Sequence, residues 1–174
     1  GALDALRLGP PVPDPAKVLC IGINYGDHAA ETGRSLPGHP DVFAKFASTL
    51  IGPADDIVAS DVSARLDYEG ELAVVIGRPC RAVAAEDALA VVAGATILND
   101  LTARDLQFNG SQWLPGKAVD GSTPCGPALV TLDEVGDLQT LDLATRVNGV
   151  EVQRSTTARM LFPVAAIVAL AANG

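Results

Sequence analysis

Glu69 and Glu71 stand two residues apart in L-D-Y-E-G-E-L-A-V-V-I, residues 66–76. On an extended strand that spacing sends both side chains out of one face, roughly 6–7 Å apart along the backbone. Two carboxylates beside an apolar segment repel each other unless a cation lies between them. Asp100 ends a second apolar stretch, Ala95–Leu98 followed by Asn99, and could bring a third carboxylate to the same place. With no His or Cys nearby in sequence, such a set suits a hard ion, Mg²⁺ or Mn²⁺, with waters completing its shell. The same alternation also suits the wet face of an edge strand.

His28 and Glu31 lie at i and i+3 of a segment fit for a helical turn, so they share a face. A histidine oriented by a carboxylate is a general base near neutral pH, able to take a proton from water. An exposed polar helix would carry the same pair. The lysines are Lys17, Lys45 and Lys117. Lys117 follows a Pro-Gly turn in W-L-P-G-K-A-V-D, where its ammonium could hold or polarise a substrate oxygen, or simply pair with Asp120. Arg104 and Gln107, four and seven residues after Asp100, would on a helix offer a fork and an amide to a substrate carboxylate. Arg104 paired only with acidic neighbours is the other reading. The role of Lys45 stays open, and His39, between Gly38 and Pro40 in a loop, is assigned none.

The elements that must position these groups are short. A Pro-rich lead-in, residues 1–16 with G-P-P-V-P-D-P-A at its end, can be neither helix interior nor central strand. A single domain over residues 17–174 is expected to follow. Its predicted strands are Lys17–Ile23, Phe43–Ala47, Leu66–Ile76 and Ala95–Leu98. Ala84–Val92 reads as a helix with Glu86 and Asp87 in its first turn and Gly94 past its end. Asn148-Gly149 between Thr145–Val147 and Val150–Val152 is a type I′ hairpin signal. Ala158–Ala172 is expected to close the chain as a helix. Many short strands with few helices predict a mainly β, mixed α+β domain.

Composition narrows the function. Across 174 residues, 12 Lys and Arg face 21 Asp and Glu, a net charge of −9. That balance argues against partners such as nucleic acid or an anionic membrane, which need a basic patch. The longest apolar run, Met160 to Ala172, is interrupted by Pro163 and falls short of the roughly 20 residues a membrane span needs. Cys20, Cys80 and Cys125 are odd in number and widely spaced, as expected of reduced thiols. No charged-then-apolar leader opens the sequence, so a cytoplasmic protein is expected.

Taken together, G-I-N-Y-G-D-H-A-A-E (22–31), V-F-A-K-F (42–46), D-Y-E-G-E-L-A-V-V-I-G (67–77), N-D-L-T-A-R-D-L-Q (99–107), G-K-A-V-D (116–120), G-P (126–127) and V-N-G (147–149) resemble the catalytic domain of the fumarylacetoacetate hydrolase family. They run in that family's order. The resemblance implies a mixed β-sandwich roll with a few flanking helices, usually a homodimer. It matches Glu69, Glu71 and Asp100 to the family's acidic metal ligands. His28 and Glu31 match the dyad that activates water, and Lys117 the lysine facing the substrate, with Arg104 and Gln107 holding its oxo-acid end.

The substrate class implied is a 2-oxo or β-diketo acid, which can chelate the ion through carboxylate and keto oxygens while an enolate forms. Acylpyruvate-type hydrolysis is the first expectation. Decarboxylation, or isomerisation of 2-hydroxyhepta-2,4-diene-1,7-dioate, is the alternative. The sequence departs from the family at its end: a P-G-D and T-G-T-P segment that walls the pocket usually follows the last helix, and here Ala172-Asn173-Gly174 closes the chain. That departure motivates a reading of another class, a truncated, non-catalytic dimerisation or binding module.

Overall fold

The computed structural model describes residues 6–26, 38–58 and 61–173. The fold is mixed α+β with more strand than helix, as the strand-rich pattern predicts. The chain divides into two compact units, each assembled from three separated segments. One holds Gly1–Val18, Ala44–Ala73 and Thr96–Leu129; the other holds Leu19–Phe43, Val74–Ala95 and Val130–Gly174.

Eleven short strands are described: β1 (Val18–Gly22), β2 (Asp41–Lys45), β3 (Leu50–Ile51), β4 (Leu66–Asp67), β5 (Gly70–Ile76), β6 (Val92–Asn99), β7 (Thr102–Ala103), β8 (Thr123–Pro124), β9 (Val130–Thr131), β10 (Asp142–Val147) and β11 (Val150–Thr156). The helices are brief: α1 (Arg104–Gln107), α2 (Leu114–Lys117), α3 (Leu132–Val135) and α4 (Val164–Ala171). β1 pairs with β2, and β5, β6 and β9 form a three-stranded sheet in that order.

In the first unit β3 runs parallel to β8, and β4 runs antiparallel to β7 with Leu66 opposite Ala103 and Asp67 opposite Thr102. Its interior is unusually polar. Lys45, Thr49, Asp100, Thr102, Gln107, Lys117, Ser122 and Thr123 are buried there beside Leu98, Leu101, Ala103 and Cys125. Buried charge on this scale is stable only when paired, so this unit is where a site belongs.

The second unit has an apolar core instead: Ala88, Val91, Ala95, Leu138, Val164, Val168 and Ala172. A 3-10 turn at Ala85–Val91 packs against α4. The strongest local signal in the sequence holds, because Asn148 and Gly149 both take positive φ (52° and 80°) and join β10 to β11 with Val147 opposite Val150. Only a turn of that hand follows the strands' twist, and β-branched residues resist it.

Three elements differ from expectation, each for a local reason. The strand expected over Leu66–Ile76 is interrupted at Tyr68 and Glu69, where the Glu69 N–H donates to the Asn99 side-chain oxygen (3.0 Å). The helix expected over Ala84–Val92 is 3-10, closed by bonds such as Asp87 N–H to Ala84 C=O (3.0 Å). The closing helix starts only at Val164, since Pro163 in extended conformation precedes it. Cys20, Cys80 and Cys125 form no disulfide.

A candidate active site built on buried lysines

β2 delivers Lys45 into the interior of the first unit with its side chain wholly buried. A lysine buried to this degree cannot leave its charge unpaired. Its ammonium donates to Asp100 Oδ1 at 2.8 Å and to the main-chain oxygen of Lys117. Asp100 stands just past β6, and its own N–H bonds the Glu69 carbonyl at 2.8 Å. That backbone bond sets the two acidic residues side by side.

Lys117 comes from the other direction. It ends α2, which begins with Leu114 and Pro115. Gly116 is the residue that lets this turn close. A Cβ there would lie 2.6 Å from both the Ala103 oxygen and the Gln107 nitrogen, atoms of rigid backbone. With that approach made, the Lys117 ammonium donates to Glu69 Oε2 at 2.7 Å and to Asp100 Oδ2 at 2.8 Å. Asp120, the alternative partner, instead accepts from Ser48 Oγ at 2.5 Å.

The remaining oxygen of Glu69 is also engaged. Oε1 meets an Arg104 terminal nitrogen at 2.7 Å and the Thr102 hydroxyl at 3.2 Å. Arg104 follows β7, so the β4–β7 pairing brings Asp67 within 2.8 Å of its Nε. Its other terminal nitrogen donates to Gln107 Oε1 at 2.9 Å, across one turn of α1. The fork expected to face a substrate therefore grips protein acceptors, and the amide oxygen of buried Gln107 is taken.

Glu71 is the exception. Among the described residues no hydrogen bond or ion pair reaches its carboxylate. Burial first, then the charges of Glu69 and Asp100, push its pKa from 4.5 up to about 8, against a smaller opposing pull from Lys117. The three carboxylates singled out in the sequence thus lie within electrostatic reach of one another. They do not form a ready-made cage: among the described residues no three His, Cys, Asp or Glu side chains converge as a metal centre. Glu69 and Asp100 are drawn onto an ammonium instead. The donor chemistry nevertheless suits a hard cation, since an unpartnered carboxylate flanked by two others is what such an ion relieves.

His28 and Glu31 lie outside the described residues. Lys45, Asn99, Thr102, Asp67 and Gly116 complete the site without having been assigned a role from sequence. Lys45 carried a signal, a lone charge within the apolar V-F-A-K-F; the others did not.

A buried, lysine-rich carboxylate cluster on short strands is an enzyme-like arrangement, and comparison with known proteins places it. The family model for the fumarylacetoacetate (FAA) hydrolase C-terminal domain matches residues 17–174, and the chain belongs to that family. Over 161 residues it is 47% identical to the human mitochondrial oxaloacetate tautomerase FAHD2A, covering 91% of this chain and 51% of that protein. The fumarylacetoacetate hydrolase of Exiguobacterium antarcticum superposes with a TM-score of 0.88 at 41% identity, over 99% of this chain and 62% of that one. The 2-hydroxyhepta-2,4-diene-1,7-dioate isomerase of Mycobacterium marinum does so at 0.82 and 36%, over 94% and 60%. The chain spans about half the length of the curated relatives it matches. No described helix is long and apolar enough to cross a membrane.

Proposed function

We propose that this chain is the catalytic domain of a divalent-metal-dependent enzyme that forms and consumes the enolate of a 2-oxo or β-diketo acid, with acylpyruvate-type carbon–carbon hydrolysis as its reaction. The observation that carries the reading is the buried cluster in which Lys117 bridges Glu69 and Asp100 beside Glu71, whose carboxylate has no hydrogen-bond or ion-pair partner among the described residues. In this reading Glu69, Glu71 and Asp100 hold Mg²⁺ or Mn²⁺. The ion, when bound, would act as a Lewis acid toward the oxo-acid oxygens.

The chain's own residues divide the remaining work. The buried Lys117 ammonium, within the cluster, supplies the positive charge that stabilises negative charge developing on a substrate oxygen. Arg104 holds Glu69, Asp67 and Gln107 in one array; with its oxygen accepting from Arg104, the Gln107 amide keeps its N–H₂ as the group that could donate to a ligand oxygen. His28, oriented by Glu31, takes the proton from the attacking water. In hydrolysis that water adds to the carbonyl, the carbon–carbon bond breaks, and its electron pair leaves as the enolate, which is then protonated.

A second reading, keto–enol tautomerisation or isomerisation without attack by water, draws support from the names of the tautomerase and the isomerase to which the chain is similar. The full-length protein assayed with acylpyruvates, oxaloacetate and 2-hydroxy-diene-dioates, with and without EDTA, tests both. Hydrolysis that EDTA stops and Mn²⁺ restores supports the first. Tautomerisation alone, equally metal-dependent, supports the second, and metal-independent turnover overturns both. Homodimerisation and a cytoplasmic location complete the proposal, and sedimentation of the full-length protein checks the first of these.

A further inference from the structure

We propose that Lys117 is a built-in counter-ion that competes with the divalent cation for one position, so that metal binding turns it from an internal partner into a substrate-facing group. The inference rests on the ligand assignment in the reading above. Its basis is a single bridging geometry. The Lys117 ammonium sits 2.7 Å from Glu69 Oε2 and 2.8 Å from Asp100 Oδ2, donating to the two oxygens that a cation shared by these residues would have to take.

Neither oxygen has a free alternative beside it. Glu69 Oε1 is held by Arg104 and Thr102, and Asp100 Oδ1 by Lys45. Among the described residues, Glu69 Oε2 and Asp100 Oδ2 accept from Lys117 alone, so they are the oxygens a cation could take while leaving the Arg104, Thr102 and Lys45 contacts in place. An ammonium and a divalent ion cannot both occupy the gap, because like charges at that separation in a buried setting repel strongly. Lys117 must withdraw as the ion enters.

The lysine's main chain does not need to move. Its carbonyl is pinned by Lys45 and its turn is locked by the close approach of Gly116 to Ala103 and Gln107. Withdrawal is thus a rotation of a flexible four-carbon side chain about a fixed backbone. The ammonium leaves the carboxylates and is delivered to the edge of the cluster, where an incoming oxo-acid oxygen would meet it.

The test is Mn²⁺ affinity measured by electron paramagnetic resonance on the full chain, comparing the native protein with Lys117→Met and Lys117→Arg. With the competitor removed, Lys117→Met binds Mn²⁺ at least about tenfold more tightly, whereas Lys117→Arg, which keeps the charge, does not. A lysine that only supported the fold would leave affinity unchanged or lower it on loss, and that result overturns the proposal. In native protein, amine acylation read by mass spectrometry gives a second measurement that needs no variant. Labelling at Lys117 rises on adding Mn²⁺, and labelling that stays constant or falls overturns the exchange. If native protein and both variants bind no Mn²⁺, the ligand assignment itself is what fails.

Discussion

Replacing Glu71 by Gln removes a carboxylate that the fold holds under electrostatic stress. Burial and the flanking Glu69 and Asp100 raise its pKa from 4.5 to about 8. Below the lower value both folded and unfolded chains carry the proton, and that part of the stability is fully present. Between the two values the unfolded chain has lost the proton while the folded chain keeps it. Folding then takes up a proton, and stability falls as pH rises through about 8. The full difference corresponds to about 5 kcal/mol at 1.36 kcal/mol per pH unit. Because Glu71 is only partly enclosed, solvent screening brings the expected effect to about 2 kcal/mol. Gln cannot ionise, so in EDTA the Glu71→Gln variant keeps the stability the native protein loses. Urea unfolding from about pH 4.5 to pH 8.5 reads this as a gap that opens with pH. Thermal melts of the same samples read it, for a chain of this size, as about 4–8 °C in Tm at the alkaline end. Parallel curves across that window, or a gap that closes as pH rises, would refute the reasoning.

Three further perturbations follow from the same geometry. Lys45→Met strips the buried Asp100 of one of its two cationic partners and costs about 3–5 kcal/mol in urea unfolding, as breaking a buried pair does. Gly116→Ala forces a methyl against the Ala103 and Gln107 backbone and costs about 1–3 kcal/mol, with loss of turnover because Lys117 is displaced with it. His28→Ala abolishes hydrolysis of an acylpyruvate while leaving Mn²⁺ affinity within about twofold, since the proposed ligands are untouched; a calorimetric Mn²⁺ titration beside the assay separates the two effects.

Much of this was legible in the residues because local chemistry allowed few alternatives. Asn148-Gly149 specified its turn, since few pairs tolerate positive φ twice in succession. The motif pattern pointed to the family, and with it to Glu69, Glu71, Asp100 and Lys117 as neighbours. What stayed hidden depends on pairings distant in the chain. Nothing in the sequence around Glu69 announces that Asn99 caps its N–H and so interrupts the strand. Arg104 reads equally well as a fork for substrate or as the partner of acidic neighbours until β4 and β7 pair and set Asp67 against it. Lys117 reads equally well as a partner of Asp120 until α2 closes over Gly116 and aims it at Glu69 and Asp100 instead. The closing helix is shorter than its apolar content suggests for a simpler reason: Pro163, in extended conformation, sets its start at Val164.

Joint ligation of one divalent cation by Glu69, Glu71 and Asp100 is tested most directly by anomalous diffraction from a crystal of the full-length protein soaked with Mn²⁺ and oxalate, a small chelating mimic of an enolate. The expected result is a single strong peak coordinated by all three carboxylates, with the Lys117 ammonium turned away from Glu69 and Asp100. A peak elsewhere, or none while Lys117 still bridges those two residues at full Mn²⁺, would contradict it.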